Sequence, residues 1–141
     1  MTGLPDRLCS LLTTSCLCLV AVGVVPSSAL ADAPDREQVA LITLACGGFG
    51  REESTHMLSL QVAHSLTLIF AEANGAYLSG VRVRIDDPLS DLAVEERCGP
   101  IGLVDVPRQG RYRVSAWHAG EQREQWVDLA PMSGARLVLR W

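Results

Sequence analysis

From Leu66 onward apolar and polar residues alternate with a period of two, the spacing that turns one face of a β-strand to a core and the other to water. In "LTLIFA" Leu66, Leu68 and Phe70 alternate; in "VRVRI" Val81, Val83 and Ile85 face one way while Arg82 and Arg84 face the other. "LAVEERC", "IGLVDV", "RYRVSAWH", "QREQWVDLA" and "ARLVLRW" follow at short intervals. Turn signals separate them: Asn74-Gly75, Asp87-Pro88, Gly99-Pro100, Gln109-Gly110, Ala119-Gly120 and Ser133-Gly134. This pattern predicts a mainly β fold, a seven-stranded antiparallel β-sandwich.

Upstream the pattern changes. "VALITLAC", residues 39–46, suits a short strand or an extended lead-in, and a glycine cluster follows at Gly47, Gly48 and Gly50. "REESTHMLSLQVAHS" predicts one N-terminal α-helix over about 51–65, with Glu52 and Glu53 in the first turn where the helix dipole favours carboxylates. Its apolar stripe is loose, because Met57, Leu58, Leu60 and Val62 spread round the wheel. The glycine cluster fails as a phosphate loop. Arg51-Glu52-Glu53 stands where Lys and Ser or Thr are needed, and two carboxylates repel a phosphate. A turn into a helix is what these glycines supply.

The first residues follow neither period. An apolar run from Leu8 to Val25 follows Arg7, Pro26 breaks it, and Ala29-Leu30-Ala31 has the small-x-small spacing of a signal-peptidase site. The reading is a signal peptide over 1–31, cleaved after Ala31, with the β-sandwich domain and its helix over 32–141. The expected location is periplasmic or secreted, with no membrane attachment after cleavage; the run is short for a span of about 20 residues. Of five cysteines, Cys9, Cys16 and Cys18 leave with that segment. Cys46 and Cys98 remain, and in an oxidising compartment two cysteines read as one disulfide. Without export, two buried thiols is the better reading.

Charge removes one class of function. The net charge is −4, and all twelve basic residues are arginine. A mildly acidic domain lacks the basic footprint of a nucleic-acid binder, so no nucleic acid is expected as partner.

Candidate chemistry is sparse. His118 and Glu121 have the His-x-x-Glu spacing of some zinc carboxypeptidases, but no later histidine supplies a third ligand. His56 and His64 are eight residues apart on the expected helix. They rise about 12 Å and rotate about 80° apart, so they cannot share a metal. Asp86, Asp87 and Asp91 surround Pro88 and form the weak calcium candidate of the chain, at a spacing that matches no defined calcium loop. There is no Gly-x-Ser-x-Gly elbow. No cofactor is called for, and no enzyme is expected; the remaining hydrolase alternative draws on His118, Glu121 and Asp105.

The aromatic residues offer more. A two-residue turn at Ala119-Gly120 places His118 opposite Glu121, Trp117 opposite Gln122, Arg113 opposite Trp126 and Arg111 opposite Asp128. Trp117, Trp126, Arg113 and Glu124 then share one face, and Tyr112, Val114 and Val127 the other. The apolar set belongs in the core, which leaves two tryptophans outside. The helix has to cover something, so the favoured arrangement lays it over this face and buries both indoles. Left uncovered, they form a surface for a protein partner or a sugar ring.

Two long stretches carry a resemblance. "GGFGREESTHMLSLQVAHSLTLIFAEANGAYLSGVRVRI" and "CGPIGLVDVPRQGRYRVSAWHAGEQREQWVDL" resemble small exported bacterial carboxypeptidase regulatory-like domain proteins. These are similar to the transthyretin-like β-sandwich attached to some metallocarboxypeptidases. The resemblance rests on Gly47, Gly48, Gly50 and Glu53, on Phe70, on "NGAYLSGVRV", on Gly99-Pro100 and on "VP…GRYRV". It implies a transthyretin-like sandwich and a non-catalytic module. Two departures stand out: Pro107-Arg108-Gln109-Gly110-Arg111-Tyr112 is one residue longer than the usual turn, and "PLSD" replaces an expected glycine near 88–91. The chain also ends Leu139-Arg140-Trp141, without the Tyr-Arg-Gly-Ser ending of transthyretin-related hydrolases. The expected function is a non-catalytic periplasmic binding or protein-interaction module for a protein or cell-envelope component. The alternative is carbohydrate binding by the same tryptophans.

Overall fold

Period-two alternation builds two four-stranded sheets in a computed structural model that describes residues 40–141; the signal-peptide reading lies outside the described residues. The first sheet has the order β1 (Thr43–Gly47), β5 (Ile101–Asp105), β2 (Leu66–Ala71), β8 (Ala135–Arg140). The second has β4 (Leu92–Cys98), β3 (Val81–Asp87), β6 (Gly110–His118), β7 (Glu121–Leu129). Their inner faces make one core in which Leu66, Leu68, Phe70, Val81, Val83, Ile85, Tyr112 and Val114 are almost fully buried.

The described residues form eight strands where seven are expected from the sequence. The extra one is β1, from the stretch that suits either a strand or a lead-in; it sits at a sheet edge, pairs with β5 and is half-exposed along its length. The expectation of an antiparallel fold also needs one correction, because β2 pairs with β8 in parallel, Leu66 beside Ala135 through Ala71 beside Arg140. The chain crosses from the second sheet to the first between β7 and β8, so β8 is no hairpin partner of its predecessor and its direction is free of the hairpin rule.

The helix is shorter than predicted. α1 runs Arg51–Ser59 and is followed by a separate 3-10 turn, Gln61–Ala63. The backbone beyond it is captured by β5: the Ser65 N–H donates to Val104 O at 3.0 Å and to Asp105 Oδ1 at 3.3 Å, which ends any helical ladder. At its start, Gly50 caps α1 at φ 90°, a backbone conformation that favours glycine. The Glu53 carboxylate reaches back to accept from the Phe49 N–H at 2.9 Å. The glycine cluster thus turns the chain sharply from β1 into the helix.

Each open side of the sandwich is closed by a cross-sheet link between edge strands. On one side the Cys46–Cys98 disulfide joins β1 to β4. On the other, Arg123 Nε of β7 donates to Arg140 O of β8 at 2.9 Å, and Trp141 Nε1 donates to Glu121 O at 3.3 Å. The Trp141 ring also meets Phe70 and His118 at centroid distances of 6.4 and 5.8 Å. Edge strands with unpaired backbone are where sheets aggregate, and covalent or aromatic clasps restrain them. Among the described residues no helix is long and apolar enough to cross a membrane.

Candidate functional site

Where α1 packs decides which sheet face stays open. Met57 is buried against Ile101 and Leu103, with Leu58 and Leu60 beside them, so the helix lies on the outer face of the first sheet. The expectation that it covers the tryptophans is therefore corrected. Ile69, Ile101 and Leu103 alternate with core residues and give that sheet a second apolar face. The outer face of the second sheet offers the helix mainly charged, polar and indole side chains.

The register predicted for the β6–β7 hairpin is the one formed: Arg111–Asp128, Arg113–Trp126, Trp117–Gln122 and His118–Glu121 are paired. Ala119 and Gly120 have φ of 48° and 80°, as a two-residue type I′ turn requires. Tyr112, Val114 and Ala116 point inward and are fully buried. Trp117 is half-buried on the outer face and Trp126 is 42% exposed.

Pairing of β3 with β6 then completes the surface by setting Arg82 beside Trp117, Arg84 beside Ser115 and Asp86 beside Arg113. The Arg82 guanidinium lies 4.4 Å from the Trp117 ring centre, and that of Arg113 lies 5.6 Å from Trp126. Arg113 is also held in a fork by Asp86, with Nε and Nη2 donating to Oδ1 and Oδ2 at 3.1 and 2.8 Å. That pair raises the Arg113 pKa above its usual value, chiefly through the hydrogen bonds to Asp86. Glu124 accepts from Ser115 Oγ at 3.4 Å. Glu95 sits within 3.8 Å of both Arg82 and Arg84. The face is a ladder in which arginines alternate with carboxylates and indoles, able to bind by stacking and by ion pairing.

Arg82 and Arg84 complete this face yet are missing from the set Trp117, Trp126, Arg113 and Glu124 expected from the hairpin. Their alternation in "VRVRI" signals an outer face. Their neighbours across β6 follow from a pairing that spans β4 and β5, which local spacing does not specify.

Asp86, Asp87 and Asp91 do not form a cation cage. Among the described residues no three His, Cys, Asp or Glu side chains are placed to hold a metal. Asp86 is occupied by Arg113. Asp87 accepts from Ser90 Oγ at 2.6 Å, from the Leu89 N–H at 3.0 Å and from Arg108 Nη2 at 3.2 Å. These donors, Ser90 foremost, hold the Asp87 pKa below 3.8 against the opposing effect of burial. Its stabilising contribution is therefore full above the unfolded-state value of about 3.9 and is lost as pH falls through the lower folded-state value. Asp87→Asn is expected to lower the urea midpoint at pH 7 by an amount that shrinks as pH falls below about 3.9; a deficit that does not change with pH would rule out the charge as the cause.

The hydrolase set is not assembled. Asp105 Oδ2 is 2.7 Å from His64 Nδ1 and Asp105 Oδ1 accepts from the Ser65 N–H, so it lies beside the start of β2. His118 packs on Trp141, whose N–H donates to Ala71 O at the far end of that strand. The length of β2, roughly 20 Å for its six residues, separates them. His56 and His64 likewise share no site, since His64 leaves the helix altogether and binds Asp105.

No family model matches the chain, and no curated protein sequence matches it. Among solved structures, the Bacillus anthracis TIE protein is similar over 55% of this chain, at 18% sequence identity and a TM-score of 0.40. The chain spans 16% of the length of that protein, and at this TM-score the likeness assigns no function to it.

Proposed function

We propose that this chain is an exported, non-catalytic binding module with a transthyretin-like sandwich, and that its recognition surface is the outer face of the β4-β3-β6-β7 sheet. The observation that carries the reading is the placement of α1 on the other sheet, which leaves Trp117 and Trp126 outside the core and uncovered by the helix. Indole and arginine are the side chains that dominate binding energy in interfaces. The disulfide and the apolar run at residues 8–25 support an oxidising compartment, the periplasm. The partner is a protein or a component of the cell envelope.

Carbohydrate binding by the same tryptophans is the second reading. Against it, guanidinium groups already lie over both indole rings, where a sugar would stack. A carboxylate-bearing partner could draw Arg82 into an ion pair without displacing an indole, since Arg82 has only a 3.7 Å contact to Glu95.

Titrating intrinsic tryptophan fluorescence of the full chain with peptidoglycan fragments, which carry carboxylates, and separately with neutral envelope glycans tests this; a change with the neutral glycans alone would favour the carbohydrate reading. A saturable change is expected, weakened at least tenfold in Trp126→Ala, as for a binding hot spot of about 2 kcal/mol. The thermal midpoint of that variant should stay within a few degrees of wild type, because Trp126 lies outside the core cluster. Binding that survives both Trp126→Ala and Trp117→Ala unchanged would place recognition elsewhere.

A further inference from the structure

At the glycine turn between β1 and α1 lies a second concavity, away from the tryptophan face. It has a volume of 480 Å³, within the range of small-molecule sites of roughly 300–1,000 Å³. Phe49, Tyr77, Leu58 and Pro100 give it apolar walls, and Ser79 and Thr55 bring hydroxyls.

Phe49 and Tyr77 are 63% and 51% exposed, and neither belongs to an apolar cluster of the fold. Single exposed apolar side chains are ordinary. Two aromatic rings lining one cleft, with one of them held in place, are not explained by folding. Phe49 stands between two glycines that both have φ of +90°, and its N–H is tied to the Glu53 carboxylate at 2.9 Å. Its ring rests on Gly99, where an added Cβ would come within 2.7 Å of Cζ. The backbone is therefore shaped to present this ring at the surface rather than to bury it.

The charge of the cleft is one-sided. Among the described residues, Arg51 is the single charged one lining it. Of the two carboxylates in the first turn of α1, Glu53 is turned to the Phe49 N–H and neither it nor Glu52 lines the cleft. An aromatic wall selects a planar apolar ring, and a guanidinium at its rim selects a carboxylate in a two-point hydrogen bond.

We infer that this cleft binds an arylalkyl carboxylate: a planar aromatic ring between Phe49 and Tyr77 with its carboxylate on Arg51. The same group occurs in a small aromatic acid and in a peptide ending in an aromatic residue.

The test is a ¹H–¹⁵N NMR titration of the full chain with 3-phenylpropionate, 3-phenylpropanamide and Gly-Gly-Phe. Saturable shifts are expected at Gly48, Phe49, Ser54, Tyr77 and Ser79, with 3-phenylpropionate at least tenfold tighter than the neutral amide. Arg51→Gln should remove that preference, and Tyr77→Ala should weaken both ligands by a similar factor. Both substitutions are at exposed positions, and an unchanged spectrum of the remaining residues verifies the fold. Tighter binding of Gly-Gly-Phe supports a peptide C-terminus as the source, and tighter binding of 3-phenylpropionate a free acid. Equal affinity for acid and amide, no saturation, or shifts centred on Trp117 and Trp126 would overturn the assignment.

Discussion

Replacing both cysteines, Cys46→Ala with Cys98→Ala, is expected to destabilise the domain by about 4 kcal/mol, the chain-entropy value for a loop of this size. The bridge closes a sequence separation of 52 residues, so its removal acts mainly on the unfolded chain by restoring the freedom of that loop. In the folded state it links β1 and β4, which are edges of different sheets and share no ladder. A loss of this size should lower the thermal midpoint by roughly 15–30 °C for a domain of about 100 residues. Calorimetry of the double variant against wild type measures it. A loss below about 1 kcal/mol would mean that the β1–β5 pairing and the packing of α1 already hold that edge.

Tyr112 is expected to give the second large effect. Its side chain is fully buried at the start of β6, and its hydroxyl donates to Arg108 O at 2.8 Å. Arg108 belongs to the β5–β6 connection, one of two that carry the chain from the first sheet to the second, and its guanidinium reaches Asp87 at 3.2 Å. The ring therefore packs the core while the hydroxyl pins the crossover. Tyr112→Ala should cost about 4 kcal/mol, as for other aromatic truncations in cores. Tyr112→Phe keeps the ring and removes one hydrogen bond, for a cost of about 1 kcal/mol. Urea unfolding of the two variants separates the contributions. Equal losses would show that the hydroxyl, rather than the ring, holds the crossover. Burial, and after it the nearby Asp87 charge, pushes the phenol pKa above 10.0, so the hydroxyl stays a donor through neutral pH.

The β6–β7 hairpin is legible in the sequence because its information is local. A two-residue turn at Ala119-Gly120 sets every cross-strand pair from His118–Glu121 back to Arg111–Asp128. The face of each residue follows from the period of two. The same logic names Trp117, Trp126, Arg113 and Glu124 as one surface, which is how the sheet presents them. It does not name Arg82, Arg84 and Asp86 as their neighbours, because β3 and β6 are separated by two strands in the chain. The acidic cluster at Asp86, Asp87 and Asp91 shows the converse. Adjacent in sequence, Asp86 and Asp87 are taken by different arginines, Arg113 and Arg108, that arrive from elsewhere in the chain.

By itself the sequence determined where seven of the eight described strands lie, which of their side chains point inward, where the chain turns between them and that Cys46 and Cys98 are the pair available beyond residue 31. These follow from periodicity, turn chemistry and counting, which act over a few residues or over none. Tertiary structure alone decided that α1 covers the first sheet, that β2 and β8 run parallel, that His64 binds Asp105 and that Phe49 and Tyr77 share a cleft. Each of these brings together segments distant in the chain. Their choice depends on which faces have apolar surface left to bury once the sheets have formed. The helix went to Ile101 and Leu103 because the other outer face, lined with arginine and carboxylate, offered it no core to complete.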